Sequence, residues 1–224
     1  RVDLVIVSHE DSDHSGGLNS LSDVVTIDKY LLGPGFLGSA RTARVSVSDK
    51  QVRYQTCLAG QSWQWQLSGM ETLHIDVIWP SKMGPKEGND SSCVLLLSWG
   101  DQKILLSGDI EAGAERLILK AGALPDTPIT ALVAPHHGSK TSSLRGFVAA
   151  TKPKHVIFSS GFRHHFGHPH QEVVNRYRDV QSSIWKTSEL GAITFTWPNE
   201  GDLVIEGQRE RVGFSCLSCA VWWR

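Results

Sequence analysis

The sequence has no apolar run approaching the roughly 20 residues that a bilayer-spanning helix needs, so no such helix is expected within its 224 residues. It also lacks an excess of either charge, with 22 lysines and arginines against 23 aspartates and glutamates. A protein that held nucleic acid by charge alone would be strongly basic. Any handling of nucleic acid must then be local, at a metal site, or shared with another domain. Cysteine is scarce: Cys57, Cys93, Cys216 and Cys219. Cys216 and Cys219 form a lone CxxC, which without a second pair is weak support for zinc. There is no repeat at a fixed period and no low-complexity tract. What is present is ordinary globular material, 40% hydrophobic and 20% charged, enough for a single domain with a true core.

Short β-branched runs alternate with helix-forming segments, which argues for an α/β architecture. Residues 2–8 read as a buried strand. They lead into His9-Glu10-Asp11-Ser12-Asp13-His14, and Gly16-Gly17 then opens a short helix. Residues 33–69 are expected to hold loops and hairpins. Further strands are predicted at 74–79, 93–99, 103–106, 129–134 and 155–159, with residues 81–92 as a loop. Helices are predicted at 111–121, after a cap at Ser142 or Ser143 and up to Pro153, and around 171–178. Two or three strands close the chain. Cys57 and Cys93 each flank a predicted strand, and they read as a disulfide or as two free thiols.

Histidines and aspartates gather just past the predicted strand ends, at residues 9–14, 109, 136–137 and 164–168. Sites in α/β proteins collect on such loops. Four metal-ligating residues within six positions, His9, Asp11, Asp13 and His14, form a dense signal. In an extended segment, alternation would aim His9, Asp11 and Asp13 to one side. Asp109 ends a strand in Ser107-Gly108-Asp109, and His136-His137 ends the next in Pro135-His136-His137-Gly138-Ser139. His168, in Gly167-His168-Pro169, is read as a site residue and alternatively as a helix cap, while His164, His165 and His170 are read as solvated.

The first cluster resembles the HxHxDH signature of the metallo-β-lactamase superfamily. The resemblance implies that His9 and Asp11 bind one metal, that Asp13 and His14 bind a second, and that Asp109 bridges them. The departure at Asp11 replaces an imidazole by a harder carboxylate, moving preference from zinc toward manganese or magnesium. The expected cofactor is therefore one or two divalent ions, manganese or zinc first and magnesium third. A further superfamily histidine has no counterpart here. Asn89, Asp90, Ser91 and Ser92 hold its place, so the site is expected either to be incomplete or to be completed by Asp90, Asn89 or water. His74, inside a predicted strand, is read as structural.

The combination HxDxDHxGG, SGD, PHHGSKTSS and GHP, with Asn89-Asp90-Ser91-Ser92-Cys93-Val94, resembles the hydrolase domain of ComEC-type competence proteins over roughly residues 2–197. The resemblance implies an αββα sandwich occupying residues 1–224, with a core at 2–197, a tail at 198–224 and its first strands upstream of Arg1. It also implies a domain on the outer, periplasmic side of the inner membrane, attached to an upstream membrane channel. Its partners would be DNA, single-stranded or the strand being discarded, and other competence proteins. An oxidising location there favours pairing of Cys57 with Cys93. The implied chemistry is phosphodiester hydrolysis by a metal-activated hydroxide. Asp13 or Asp109 would orient it, the metals with His136 or His137 would stabilise the developing charge, and Ser139 and Lys140 would contact substrate. Trp63 and Trp65 form the best candidate pair for base stacking. Two rivals stay open: a lactonase or thioesterase on the same scaffold, and a non-catalytic binding or gating module stapled by metal.

Overall fold

A computed structural model describes residues 1–36, 53–67, 71–163, 165–198 and 203–211. The chain runs through β1 (Val5–Val7), α1 (Ser12–Ser15), α2 (Leu18–Val24), β2 (Lys29–Leu32), β3 (Arg53–Thr56), β4 (Ser62–Gln66), β5 (Thr72–Trp79), β6 (Val94–Trp99) and β7 (Gln102–Leu106). It continues through α3 (Ala112–Lys120), β8 (Ala131–Val133), α4 (Arg145–Thr151), β9 (His155–Phe158), α5 (Gln171–Asp179), β10 (Ser183–Lys186), α6 (Thr187–Leu190), β11 (Ile193–Thr196), β12 (Val204–Gly207) and α7 (Gln208–Arg211).

Two sheets face each other. The smaller is parallel, in the order β1-β2-β3. The larger runs β10-β9-β8-β7-β6-β5-β4, antiparallel at the β4–β7 end and parallel from β7 to β10. Strand alternation sends neighbouring residues to opposite layers. Tyr30 and Leu32 pack outward with Leu18 of α2, whereas Leu31 packs inward with Val77 and Leu95 of the larger sheet. On the other outer face, Ala114 and Ile118, Phe147 and Val148, and Val173, Val174 and Tyr177 bring α3, α4 and α5 onto Leu105, Leu132 and Val156. The result is the expected αββα sandwich.

The differences from the sequence reading are local. The first strand is confined to Val5–Val7, and Val2 makes an isolated bridge to Ile27. Within the segment expected to hold hairpins, β3 instead pairs in parallel with β2, a contact that hydrophobic patterning cannot specify at that distance. β12 and α7 lie beyond residue 197 and pair with β11 and α6. His74 sits within β5, between Gln64 and Ser98. The disulfide expectation is met: Cys57, just after β3, is bonded to Cys93, just before β6, with their Cα atoms 5.8 Å apart. Cys216, Cys219 and His164 lie outside the described residues.

Neither Ser142 nor Ser143 caps α4. Its first turn is held from α3, where the two oxygens of the buried Glu115 accept the N–H groups of Ser143 and Leu144. The serines serve elsewhere. Ser142 Oγ donates to the carbonyls of Pro135 and Ser139, and Ser143 Oγ bonds the Tyr177 hydroxyl. Burial pushes the Glu115 carboxyl up to about 7, against the opposing pull of those two N–H groups and Arg176. A carboxyl raised in the folded state binds its proton more tightly there than in the unfolded chain. Stability should then fall as pH rises from about 4.5 to about 7, by about 3 kcal/mol from this group alone. Denaturant unfolding across that range checks it, and a Glu115→Gln variant should flatten the slope even though it loses one of the two cap bonds.

Candidate metal centre

Parallel strands joined through helices on one face open their carboxyl-terminal loops at one end. The loops after β7, β8 and β9 therefore converge, and the loop after β1 meets them from the smaller sheet. The segment after β1 is not extended as alternation suggested. Asp11 takes the N-cap position of the helical turn α1, although its side chain makes no cap bond. This turn separates the acidic residues. Asp11 stays mostly exposed with Oδ2 3.5 Å from Nε2 of the fully buried His9, while Asp13 and His14 turn toward the loops of the larger sheet.

There, Asp13, His14, Asp109 and His137 each contribute one donor atom to a group whose members all lie within 4.8 Å of one another. Nε2 of His14 is 3.2 Å from Oδ1 of Asp109, and Nε2 of His137 is 3.4 Å from Oδ2. Nε2 of His137 is also 3.3 Å from Asp13 Oδ2 and 3.4 Å from His14 Nε2. Donors about 2.1 Å from a shared ion in tetrahedral directions stand about 3.4 Å apart, so these residues fit a divalent cation. The electrostatics agree. Burial alone would raise the Asp109 carboxyl, but hydrogen bonds from His137 and His14 outweigh it and hold the group well below the usual carboxylate range. The same contact pushes the His137 imidazole up to about 9, against the opposing effect of its own burial. The buried carboxylate thus draws positive charge to this point.

The first two histidines are oriented from behind. Ser8 Oγ lies 3.1 Å from His9 Nδ1 and 3.0 Å from His14 Nδ1. Ser92 Oγ lies 3.3 Å from His9 Nδ1 and accepts the Asp109 N–H at 3.0 Å. Engaging Nδ1 leaves Nε2 for a ligand, and His9 Nε2 is buried with no hydrogen-bond partner. Burial and the neighbouring His14 push the His9 imidazole down, toward the neutral form that binds metal. Gly108 makes this packing feasible. Its φ is +55°, and a Cβ there would meet Ser92 Cβ at 2.8 Å and Ser8 Cβ at 3.0 Å.

His136 and His137 both have left-handed backbone, with φ of 46° and 54°, a strain worth about 1–3 kcal/mol each. Gly138 continues the turn at φ +83°, where a Cβ would strike Phe158 and Pro169 at 2.7 Å. The turn aims both rings inward. His137 Nδ1 bonds the Ser159 carbonyl at 2.7 Å, which directs Nε2 at the cluster. His137, read from sequence as a charge stabiliser, is thus placed among the ligand atoms. His136 stands back, its Nε2 4.0 Å from Asp109 Oδ2 and its Nδ1 3.0 Å from Glu111 Oε1.

Three expectations need correction. Asp90 and Asn89 do not complete the site: Asp90 Oδ1 accepts the Glu111 N–H at 2.7 Å and Asn89 Nδ2 reaches Glu111 Oε1, so both face the start of α3. Ser92 occupies the neighbourhood of His9 and Asp109 instead. Ser139 is buried and its hydroxyl bonds Thr141 Oγ1 within the turn, which leaves Lys140 as the exposed member of that pair. His168 is not among the four gathered donors. It lines an adjoining cavity of about 380 Å3 with Asp13, His137 and Ser159, its ring 5.8 Å from that of His136. The N-cap position of α5 belongs to His170, not to His168. Ser8 and Glu111 were missed from sequence, and Ser92 was named only as one of the residues holding the place of the further histidine. For Glu111 the available signal was its place two residues beyond Asp109 at a helix start.

A sandwich with aspartate and histidine donors gathered on the loops past its strand ends defines a class, and comparison with known families agrees. The chain belongs to the metallo-beta-lactamase superfamily, which matches residues 1–161. Within it, the chain is similar to "Competence protein ComA" of Neisseria gonorrhoeae, at 32% identity over 95% of this chain and 27% of that protein. It is similar to "Recombination protein 2" of Haemophilus influenzae, at 28% over 96% of this chain and 24% of that one. It also matches "ComE operon protein 3" of Bacillus subtilis, at 26% over 89% of this chain and 25% of that one. The chain spans about a quarter of the length of these relatives, all in the ComEC family. Among the described residues, no helix is long and apolar enough to cross a membrane.

Proposed function

We propose that this domain is a divalent-metal-dependent phosphodiesterase acting on DNA during its uptake, degrading the strand that is not imported. The observation that carries the reading is the four-donor cluster of Asp13, His14, Asp109 and His137, open to a cavity, in a chain related to competence proteins over most of its length. A divalent ion bound there supplies an activated water and a Lewis acid for the phosphoryl oxygens. The residues supply the rest. Asp109, with Asp13, His14 and His137, would hold the ion, and His9 with Asp11 would offer a second, less furnished position. His136, held by Glu111 and Thr141, faces the reacting region without joining the cluster and is placed to bond a phosphoryl oxygen. Lys140 is exposed on the same loop for a backbone phosphate. In the overall reaction, water oxygen bonds to phosphorus, one P–O ester bond breaks, and the departing oxygen gains a proton. Manganese or zinc is the proposed ion.

The Cys57–Cys93 disulfide supports a position outside the reducing cytoplasm, beside a membrane channel of the same polypeptide and with other competence proteins as partners. One observation favours a second reading, a metal-stapled gating module: Ser92, rather than a third imidazole, stands beside His9. Incubation with a labelled single-stranded oligonucleotide in Mn2+ or Zn2+ separates the two. We expect cleavage that a chelator abolishes. Stoichiometric metal with no cleavage under any of these ions would sink the hydrolase reading and leave the staple.

A further inference from the structure

The loop after β9 leaves two large apolar rings in solvent beside the site. Phe162 is 64% exposed and Phe166 61% exposed, where most phenylalanines would be buried. Phe166 belongs to a row of rings that leads to the metal donors. Its centroid is 5.8 Å from that of His168 at a tilt of 32°, His168 is 5.8 Å from His136, and His136 is 6.3 Å from His137. His168 also lines the cavity that contains Asp13 and His137. On the same loop, whose Gly161 lines that cavity, Arg163 places its guanidinium 5.2 Å from the Phe162 ring.

We propose that Phe162 and Phe166 form a stacking wall that makes this site select single-stranded nucleic acid. The inference rests on the phosphodiesterase reading for its setting, and it adds the residues by which the site chooses an unpaired strand. In a duplex, base faces are covered by their neighbours, and an exposed ring has nothing to stack on. An unpaired strand offers a face at every nucleotide. With a net charge of −1, the domain has little general attraction for phosphates. Affinity has to come from the metal end and from ring contacts along the strand. The pair expected from sequence is less suited. Trp63 is half-buried against the inter-sheet core with Lys29 Nζ 4.8 Å from its ring, and β4 is the edge strand, separated from β7 by β5 and β6. A lipid surface is the other occupant two exposed phenylalanines could serve. A membrane contact would not require the rings to run in file to the metal donors.

The test is fluorescence anisotropy in Mn2+ with a labelled (dT)12 and a labelled duplex of equal length, both carrying phosphorothioate linkages so that the metal stays bound while cleavage is blocked. The double variant Phe162→Ala/Phe166→Ala should weaken single-strand binding by about 10- to 100-fold and move duplex binding less than twofold. Phe166→Trp should keep or improve the single-strand affinity, which a loss of folding would not allow. Equal (dT)12 affinity in wild type and double variant would overturn the proposal. So would loss of co-sedimentation with phosphatidylglycerol vesicles in the double variant at unchanged (dT)12 affinity. Hydrolysis of bis(p-nitrophenyl) phosphate by the wild type in Mn2+ reports separately on the phosphodiesterase reading. If that hydrolysis is absent while the affinity loss is present, the stacking wall stands as a binding surface.

Discussion

Replacing Asp109 by asparagine should empty the site of metal and remove at least about a thousandfold of any metal-dependent hydrolysis. Asp109 is the carboxylate on which the arrangement converges. Its side chain is 7% exposed, with one oxygen facing His14 and the other facing His137. Its backbone N–H is fixed by Ser92. Its pKa is held low, so the negative charge is present throughout the neutral range. Asparagine keeps the shape and removes the charge, and the domain should stay folded while the cation loses its strongest attraction. The more exposed Asp13, with 62% of its side chain accessible, should cost less when changed to alanine, because water can replace its oxygen. Elemental analysis after dialysis is the check. Wild type should retain at least one ion and Asp109→Asn essentially none, and equal content in the two would remove Asp109 from the site.

The site was legible in outline because ligand-type residues were dense and sat at predicted strand ends. His9, Asp11, Asp13 and His14 announced themselves by spacing. The different parts taken by His136 and His137 did not, since adjacent histidines become inequivalent only through the left-handed turn and the Ser159 carbonyl that seizes one ring. Ser8 and Ser92 were hidden for a different reason. Serine is common in loops, and although Ser8 adjoins His9, its contact with His14 spans 6 residues and that of Ser92 with His9 spans 83. The layer order followed from alternation and helix period, but the parallel pairing of β2 with β3 is a long-range contact with no local signature. The same holds for Glu115, whose cap of the α4 start lies 28 residues away. A helix reading recognises an N-cap serine and has no means to see a carboxylate arriving from another helix.

Removing the Cys57–Cys93 bond should cost about 4 kcal/mol of stability and weaken metal binding as well. The bond closes a separation of 36 residues, for which loop-closure entropy gives about 4 kcal/mol. In a domain of this size that corresponds to a fall in Tm of about 8–16 °C. Its placement adds a second effect. Cys57 follows a strand of the smaller sheet and Cys93 precedes a strand of the larger, so the bond pins the two layers at the end where the loops converge. The Cys93 N–H donates to the Ser8 carbonyl at 2.8 Å, and Ser92 is the neighbouring residue. The two hydroxyls that orient His9 and His14 therefore sit on either side of the staple. Loosening the sheets should let those rings turn, and loss of such orienting contacts typically lowers metal affinity 10- to 100-fold. Both sulfurs are buried, so a reductant should act only after partial unfolding, and Cys57→Ala/Cys93→Ala is the cleaner route. Thermal unfolding reads the first effect. The absorption spectrum of a bound Co2+ ion reads the second, because it reports ligand geometry and does not follow stability. A double variant with unchanged Tm would refute the staple. Lowered Tm with an unchanged cobalt spectrum and affinity would confine the bond to holding the sheets together.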